Sequence, residues 1–458
     1  MTWQTPPTTS AATAIAVTQA PPAALSRRQW LASAGATTLA AAALTSAPPA
    51  QARTVKTQAR IVILGSGLGG IGVANRLSKQ LAGATITVVD KKEEHNYQPG
   101  YTLVATGVWP VSKVRNRNAD YLPHGCTWVR EAAASIDPVA QTVTTDAGTR
   151  IAYDFLVVAT GLQMDWEQIE GMDVAAIGSN GLASVYPSPL AAEATWKAMS
   201  AFAASGGQAI MTLPATPLKC AGAPLKMTFM LRDRLRQAGT LDRSTVRFQS
   251  ALGNVFGVPT VNDNVLQRWN ALGIETTFTQ KLVALDIGAR RAFFKNPEGD
   301  TTPMDYDFIH VVPPMSATAV VKQSPLAWQD GPMAAGGWLE VDPQTLQHRR
   351  FPNVFGIGDI NGTPRGKTAA TVKKSAPMVV QNLMDVIEGR TPTASFDGYT
   401  SCPLLIREGS AMLIEFDYQG RLVPSLPLIE PLQDSYFAWL MKVQLLKPAY
   451  VAVLKGHA

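Results

Sequence analysis

Two kinds of apolar run alternate along most of this chain. Short, β-branched runs read as buried parallel strands, and longer runs with apolar positions three and four apart read as helices. Arg60–Leu64 (RIVIL) is the first short run; a glycine-rich turn follows it, then a helical pattern through Ile71, Val73, Ala74 and Leu77. Thr85–Val89 is the next strand and runs into Asp90, which completes one βαβ unit. Residues 151–161 (IAYDFLVVATG) read as a turn and a further strand closing on Gly161. A second series begins near Ser184, with strands predicted over 208–213, 245–250 and 309–312 and a helix over 225–237. From about Gly336 the first pattern returns, with an apolar strand over 353–359 and a helix from about 368 to 387.

Beyond Pro392 the pattern changes to a strand over 411–416, a proline-rich stretch reaching Pro431, and an apolar, aromatic tail over 436–454 (YFAWLMKVQLLKPAYVAVL). A bilayer span needs ~20 apolar residues. This tail almost has them, but Lys442 and Lys447 lie within it and Pro448 is expected to break it into two short pieces. The expected form is an interfacial anchor in one leaflet, with the lysines at the headgroups. A helix packed on the protein's own core competes with it on equal terms.

The chain has 458 residues, 46% of them hydrophobic and 16% charged, which suits two or three globular domains. Its first 52 residues are set apart. Ser26-Arg27-Arg28-Gln29-Trp30-Leu31 is a twin-arginine signature, an Ala/Thr-rich run follows, and Ala50-Gln51-Ala52 supplies a small-x-small cleavage pattern. The expected compartment is therefore periplasmic, on the outer face of the cytoplasmic membrane. The formal charge is +6, and removal of Arg27 and Arg28 leaves about +4. So mild an excess, with no basic block, points away from nucleic acid and is compatible with an anionic membrane surface. Three cysteines, Cys126, Cys220 and Cys402, are too few for a disulfide scaffold, and no His/Cys cluster has metal-ligand spacing.

Gly65-x-Gly67-x-x-Gly70 follows a strand, opens a helix, and is answered by Asp90 twenty residues after Gly70. The glycines allow a tight turn and close approach of a pyrophosphate to the helix N-terminus, and Asp90 is placed to accept from ribose hydroxyls. The distant second motif, ending Gly358-Asp359, puts an acid where the ribitol of a flavin would lie, and Lys367-Thr368-Ala369-Ala370 open a helix whose N-terminus favours negative charge. The chain thus reads as α/β, with two Rossmann-like dinucleotide-binding-fold domains and a C-terminal membrane-associating segment. Residues 53–183 and 333–391 form the FAD domain, 184–332 the second Rossmann-like domain carrying Cys220, and 392–458 the C-terminal segment carrying Cys402. In the second domain, the loop after the first strand should hold glycines if it binds a nicotinamide cofactor. It holds Pro214, Pro217, Lys219 and Cys220 instead. Lys219 is expected to favour the Cys220 thiolate. Spacing alone leaves Cys220 and Cys402, 182 residues apart, as a structural staple or a reactive pair, and favours the staple.

HNYQPGYTLVATG (95–107), YDFLVVATGLQ (153–163), TPLKCAGAP (216–224), TLQHRRFPNVFGIGD (345–359), KTAA (367–370), DGYTSCPL (397–404) and EFDY (415–418) resemble the sulfide:quinone oxidoreductases, in the subtype shared with mitochondria. The resemblance covers almost all of the chain after residue 52. It implies that Cys220 and Cys402 form a redox-active disulfide. It also implies FAD contacts at Gly65, Gly67, Leu68, Gly69, Asp90, Gln98, Ala133, Asp359, Lys367, Thr368, Ala369 and Ala370, to which the motif readings add Gly70 and Gly161. No cysteine stands where some relatives tether the flavin, so non-covalent FAD is expected. Sulfide as substrate, a membrane quinone as electron acceptor and a separate sulfur acceptor (sulfide, sulfite or a thiol) are also implied, with Phe416 and Tyr418 as candidates for contact with the quinone ring. Three rivals share parts of the pattern: the flavoprotein subunit of a flavocytochrome c sulfide dehydrogenase, a type II NADH dehydrogenase, and a non-enzymatic flavin-bound membrane protein with a stapling disulfide.

Overall fold

A computed structural model describes residues 53–426 and 429–457. The twin-arginine and cleavage motifs lie outside the described residues. Thr54–Ala458 forms one compact unit.

Its frame is the same architecture built twice. The first sheet has five parallel strands in the order Val354–Gly356, Phe155–Val158, Arg60–Leu64, Thr85–Val89, Thr127–Val129. Parallel strands covered on both faces need side chains apolar on both faces, and RIVIL, TITVV and FLVV supply them. The second sheet also has five parallel strands, ordered Leu182–Ala183, Phe308–His310, Gly207–Leu213, Ser244–Ser250, Ile274–Thr277. Each sheet has an antiparallel three-stranded meander attached in sequence, Ala133–Asp137 to Arg150–Ala152 in the first half and Lys281–Asp286 to Thr301–Asp305 in the second. The second sheet takes its edge strand from Leu182–Ala183, so it starts slightly before residue 184. Strand 354–356 returns to the first sheet, as the recurrence of pattern near Gly336 predicts.

The C-terminal segment adds a hairpin, Thr400–Arg407 with Ser410–Phe416, in which Cys402 faces Ile414 in register. This hairpin packs along the helix Ala223–Ala238, so a residue of one can meet a residue of the other.

The tail departs from expectation. Pro448 does not break it: Tyr436–Leu454 is one 19-residue helix, the only described helix long and apolar enough to cross a membrane. Its middle, Met441–Leu445, is π-helical. The wider turn re-routes the hydrogen-bond ladder just ahead of the proline and absorbs its missing N–H. Lys442 also does not reach outward: it is buried and donates to the Pro99 carbonyl at 2.6 Å, while the half-buried Lys447 donates to the Lys113 carbonyl at 2.7 Å. Trp439, Val443, Val453 and Leu454 pack inward, whereas Tyr436, Phe437, Leu440 and Leu445 are exposed at 68%, 46%, 38% and 53%. One face of the tail thus packs on the protein's own core, and the other is apolar and exposed.

Candidate active site

The first glycine turn is shaped for a dinucleotide. Gly65 has φ +104°, and a Cβ there would strike the Ala159 carbonyl; a Cβ on Gly70 would strike the Gly65 carbonyl. Gly69 packs on Ile357 of the second flavin motif, so the two motifs touch. A Cβ on Gly67 would meet nothing within 4 Å, and the helix Leu68–Gln80 begins without a side-chain cap. The first-turn N–H groups of that helix therefore face open space that suits an anion. Gly161 (φ +72°) and Gly358 (φ +83°) end the two neighbouring strands with open space or a single methyl contact beside them. This cradle fits FAD: Gly65–Gly70 would hold its pyrophosphate, and Gly161 and Asp359 lie at strand ends along the same edge.

The implied FAD residues carry distinct local bonds. One Asp90 carboxylate oxygen accepts from Ser66 N (2.7 Å) and Ser66 Oγ (2.8 Å), and the other from Lys92 N (2.9 Å), which pins the acid against the glycine turn. Gln98 accepts from Lys219 Nζ at 2.8 Å, Ala133 begins the first meander, and burial raises the Asp359 carboxyl. Lys367 is no surface lysine. Its amine donates to the carbonyls of Asp359 (2.6 Å) and Asn361 (2.9 Å) and stands 3.6 Å from the Trp338 ring centroid, and burial pulls it down to about 7. Thr368 caps the helix Ala369–Ile387 by accepting from Thr371 N, and its hydroxyl also bonds Thr400, two residues from Cys402. That helix begins at Ala369 and Ala370, as predicted.

The cysteine loop is tied to the same edge. Cys220 N donates to the Lys367 carbonyl at 3.0 Å. Cys220 has φ +51°, an unfavourable angle for a residue with a side chain, and it stands just before the helix Ala223–Ala238. Cys402 comes to it from the hairpin. The two are free thiols in hydrogen-bond contact, which holds the Cys220 thiol well below its ordinary range and pushes Cys402 well above. Gly222, the residue before that helix, makes room: a Cβ there would fall inside the Cys402 Sγ radius. The helix N-terminus where a nicotinamide pyrophosphate would dock in a second Rossmann unit is thus filled by sulfur.

The cation bonded to the thiolate is not the expected Lys219, although Lys219 also attracts Cys220 at longer range. Lys219 turns to Gln98, and Lys226 Nζ donates to Cys220 Sγ at 3.4 Å. Burial pulls the Lys226 amine down, but the two sulfurs outweigh it and hold the amine above its ordinary range. Lys442, from the tail helix, adds a second buried cation whose field also favours the Cys220 thiolate; burial first, then repulsion from Lys226, pulls it down to about 7. Tyr186 completes the pocket. It is buried, its hydroxyl has no partner among the described residues, and both cysteines act on it electrostatically. Sequence reasoning missed these three. A lone lysine in APLKMTFML and another in the apolar tail were the available signals; Tyr186 gave none.

Phe416 and Tyr418 are not brought together. Phe416 is buried edge-on to Phe256, with ring centroids 5.7 Å apart; Tyr418 packs on Gly398 and Phe396, and its hydroxyl donates to the Pro343 carbonyl at 3.0 Å. Cys126 starts the edge strand Thr127–Val129, at the opposite end of that strand from the carboxyl edge where the glycine turn lies.

Comparison with known proteins establishes the family. The family model for pyridine nucleotide-disulphide oxidoreductases matches residues 59–192. A mitochondrial sulfide:quinone oxidoreductase of Mus musculus is 33% identical over 411 residues, covering 88% of each chain. One of Dictyostelium discoideum is 36% identical over 407 residues, again 88% of each. The chain belongs to the sulfide:quinone oxidoreductase family. The X-ray structure of the sulfide:quinone oxidoreductase from Aquifex aeolicus superposes on this member with a TM-score of 0.72 at 21% identity, over 87% of this chain and 92% of that one. It shares the fold. The mouse and Dictyostelium relatives are named mitochondrial, which gives the periplasmic reading no support.

Proposed function

We propose that this protein is an FAD-dependent enzyme that oxidises sulfide to sulfane sulfur through a Cys220–Cys402 redox disulfide and passes the electrons to a membrane quinone. The observation that carries it is the dithiol itself: two sulfurs in contact where a nicotinamide cofactor would otherwise bind, joined to the flavin edge by Cys220 N and the Lys367 carbonyl. A stapling pair would have no need of two buried lysines around it.

The residues divide the work. Hydrosulfide attacks Cys402 of the oxidised bridge, the S–S bond breaks, and Cys402 keeps the added sulfur as a persulfide. The bonding pair leaves on Cys220, the better leaving group because Lys226, Lys442 and the helix N-terminus hold its thiolate. A nucleophilic acceptor (sulfide, sulfite or a thiol) then takes the sulfane sulfur and leaves a thiolate on Cys402. Closing the bridge between the two thiolates releases two electrons. Bound FAD supplies a two-electron relay from that bridge to quinone. The Asp90 turn and the Gly65–Gly70 cradle would hold it without a covalent tether, since two of the three cysteines are engaged with each other and Cys126 sits at the wrong end of its strand.

The exposed Tyr436, Phe437, Leu440 and Leu445 face would lie in one leaflet, and quinone would enter beside it. The leaflet is the outer one of the cytoplasmic membrane if the twin-arginine signature acts. Arg27→Lys with Arg28→Lys should then keep the protein in the cytoplasm on fractionation, and an unchanged distribution would refute export.

Sulfide-dependent reduction of a short-chain quinone by the purified holoprotein tests the activity. Cys220→Ser and Cys402→Ser should each lower kcat by at least about a hundredfold with flavin absorbance retained. Full turnover in both would sink the mechanism.

A further inference from the structure

The two elements that bring the cysteines together also share a cavity at their other ends. It measures about 590 Å³ and is walled by Arg232 and Arg236 near the end of helix Ala223–Ala238, Arg407 at the end of strand Thr400–Arg407, Arg268, and the acids Asp233 and Asp434. At 1.5 Å per helical residue, Arg232 lies roughly 15 Å along the helix from Gly222. At ~3.3 Å per strand residue, Arg407 is about as far from Cys402. The cavity is therefore separate from the dithiol pocket.

Its charges do not balance. Asp233 is saturated: one oxygen takes Arg236 Nε and Nη2 at 3.1 and 2.8 Å, and the other takes Gln237 Nε2 and Glu408 N, both at 2.9 Å. Asp434 takes Arg268 Nη1 at 2.7 Å on one oxygen and the Ser410 hydroxyl on the other. Neither Arg232 nor Arg407 forms an ion pair among the described residues, although Asp233 attracts Arg232 at longer range. Arg232 donates only through Nε, to the Leu272 carbonyl at 2.9 Å, while burial and repulsion from Arg236 hold its guanidinium below its ordinary range. The Arg407 side chain has no hydrogen bond or ion pair among the described residues. Two guanidinium groups, half-buried on Arg232 and exposed on Arg407, thus line one cavity without an acid partner among the described residues, and guanidinium forks suit a tetrahedral oxyanion.

We propose that this cavity binds a phosphate-class oxyanion, with the phosphate of an anionic lipid headgroup as its favoured source. The source follows from position. Asp434 lies two residues before Tyr436, where the exposed apolar face of the tail helix begins, and Arg268 also donates to the Leu432 carbonyl at 3.1 Å, which clamps the segment entering that helix. A headgroup held here would be attached to chains lying along Tyr436 and Phe437. This choice of source rests on the membrane reading above; the oxyanion site does not.

The test uses the full holoprotein in two arms. In the first, inorganic phosphate is titrated while the unfolding temperature is followed. The wild type should be stabilised and an Arg232→Gln/Arg407→Gln double variant should not. Neither arginine is paired with an acid, so the variant leaves no carboxylate stranded, and retained flavin absorbance confirms its fold. In the second, protein is partitioned onto phosphatidylcholine vesicles with and without a third of phosphatidylglycerol. Wild type should prefer the anionic vesicles, with the preference falling about fivefold per arginine removed and under saturating phosphate. Stabilisation by phosphate that the double variant loses, without an arginine-dependent vesicle preference, upholds the site and overturns the lipid source. Absence of all vesicle binding in the wild type overturns the membrane reading and the lipid source together, and leaves the first arm to judge the site. Equal behaviour of wild type and variant in both arms overturns the proposal.

Discussion

Lys226 is the residue on which the sulfur chemistry leans most. Its amine is 3.4 Å from Cys220 Sγ inside a buried pocket, where a charge interacts far more strongly than at the surface. Lys226→Met should raise the Cys220 pKa. The folded value is depressed, so the thiolate's contribution to stability is present above the unfolded thiol value and is lost as pH falls through the folded one. The pH profile of iodoacetamide alkylation of the reduced protein reads this directly. Lys226→Met should move the profile to higher pH, and on its acidic limb alkylation should slow about tenfold for every pH unit that the profile moves. Lys226→Arg should restore much of the loss. An unmoved profile would show that Lys226 does not hold the thiolate. Lys219→Met should move the profile less, because that amine is turned to Gln98 and reaches Cys220 only at longer range.

At the scale of elements, the helix Ala223–Ala238 and the hairpin strand Thr400–Arg407 depend on one missing methyl group. Gly222 has an ordinary φ of −83°, so Gly222→Ala costs nothing in backbone strain and acts only through its clash with Cys402 Sγ. The variant should fold and bind flavin, yet fail to close the bridge. After air oxidation and denaturation, thiol titration should find one thiol in the wild type, Cys126, and about three in the variant. A single thiol in both would contradict this use of the glycine. The tail makes a second prediction: Leu440→Asp with Leu445→Asp, on its exposed face, should weaken vesicle binding more than tenfold without changing flavin content. The periodic elements were legible because parallel strands must be apolar on both faces. RIVIL, TITVV and FLVV declare themselves, and strands 208–213 and 245–250 were found to within a residue. The Pro448 break was misread because a π-turn, a tertiary accommodation, has no periodic signal. Lys226 is hard to read from the sequence for a related reason: it lies a turn and a half beyond Cys220 on a helix that points back, whereas Lys219 adjoins Cys220 in the chain.

Over the whole molecule, one architecture is used twice and the two copies have diverged in what their glycine turns hold. The first keeps open space at Gly67 and an uncapped helix, fit for a pyrophosphate. The second has its helix N-terminus occupied by Cys402 from a distant hairpin, delivered by the same C-terminal segment that supplies Lys442 and the exposed apolar face. The flavin cradle, the dithiol and the exposed apolar helix face are thereby connected through a few residues, and each of the three parts is legible in the sequence without their junction. The junction arises from contacts between residues nearly two hundred positions apart, which no local pattern encodes.

The most direct test of the central claim is an anaerobic titration of the holoprotein followed at the visible absorbance band of the oxidised flavin. If the second turn has exchanged a nicotinamide for a dithiol, sulfide bleaches the flavin stoichiometrically and NADH leaves it oxidised. Bleaching by NADH and not by sulfide would contradict the account.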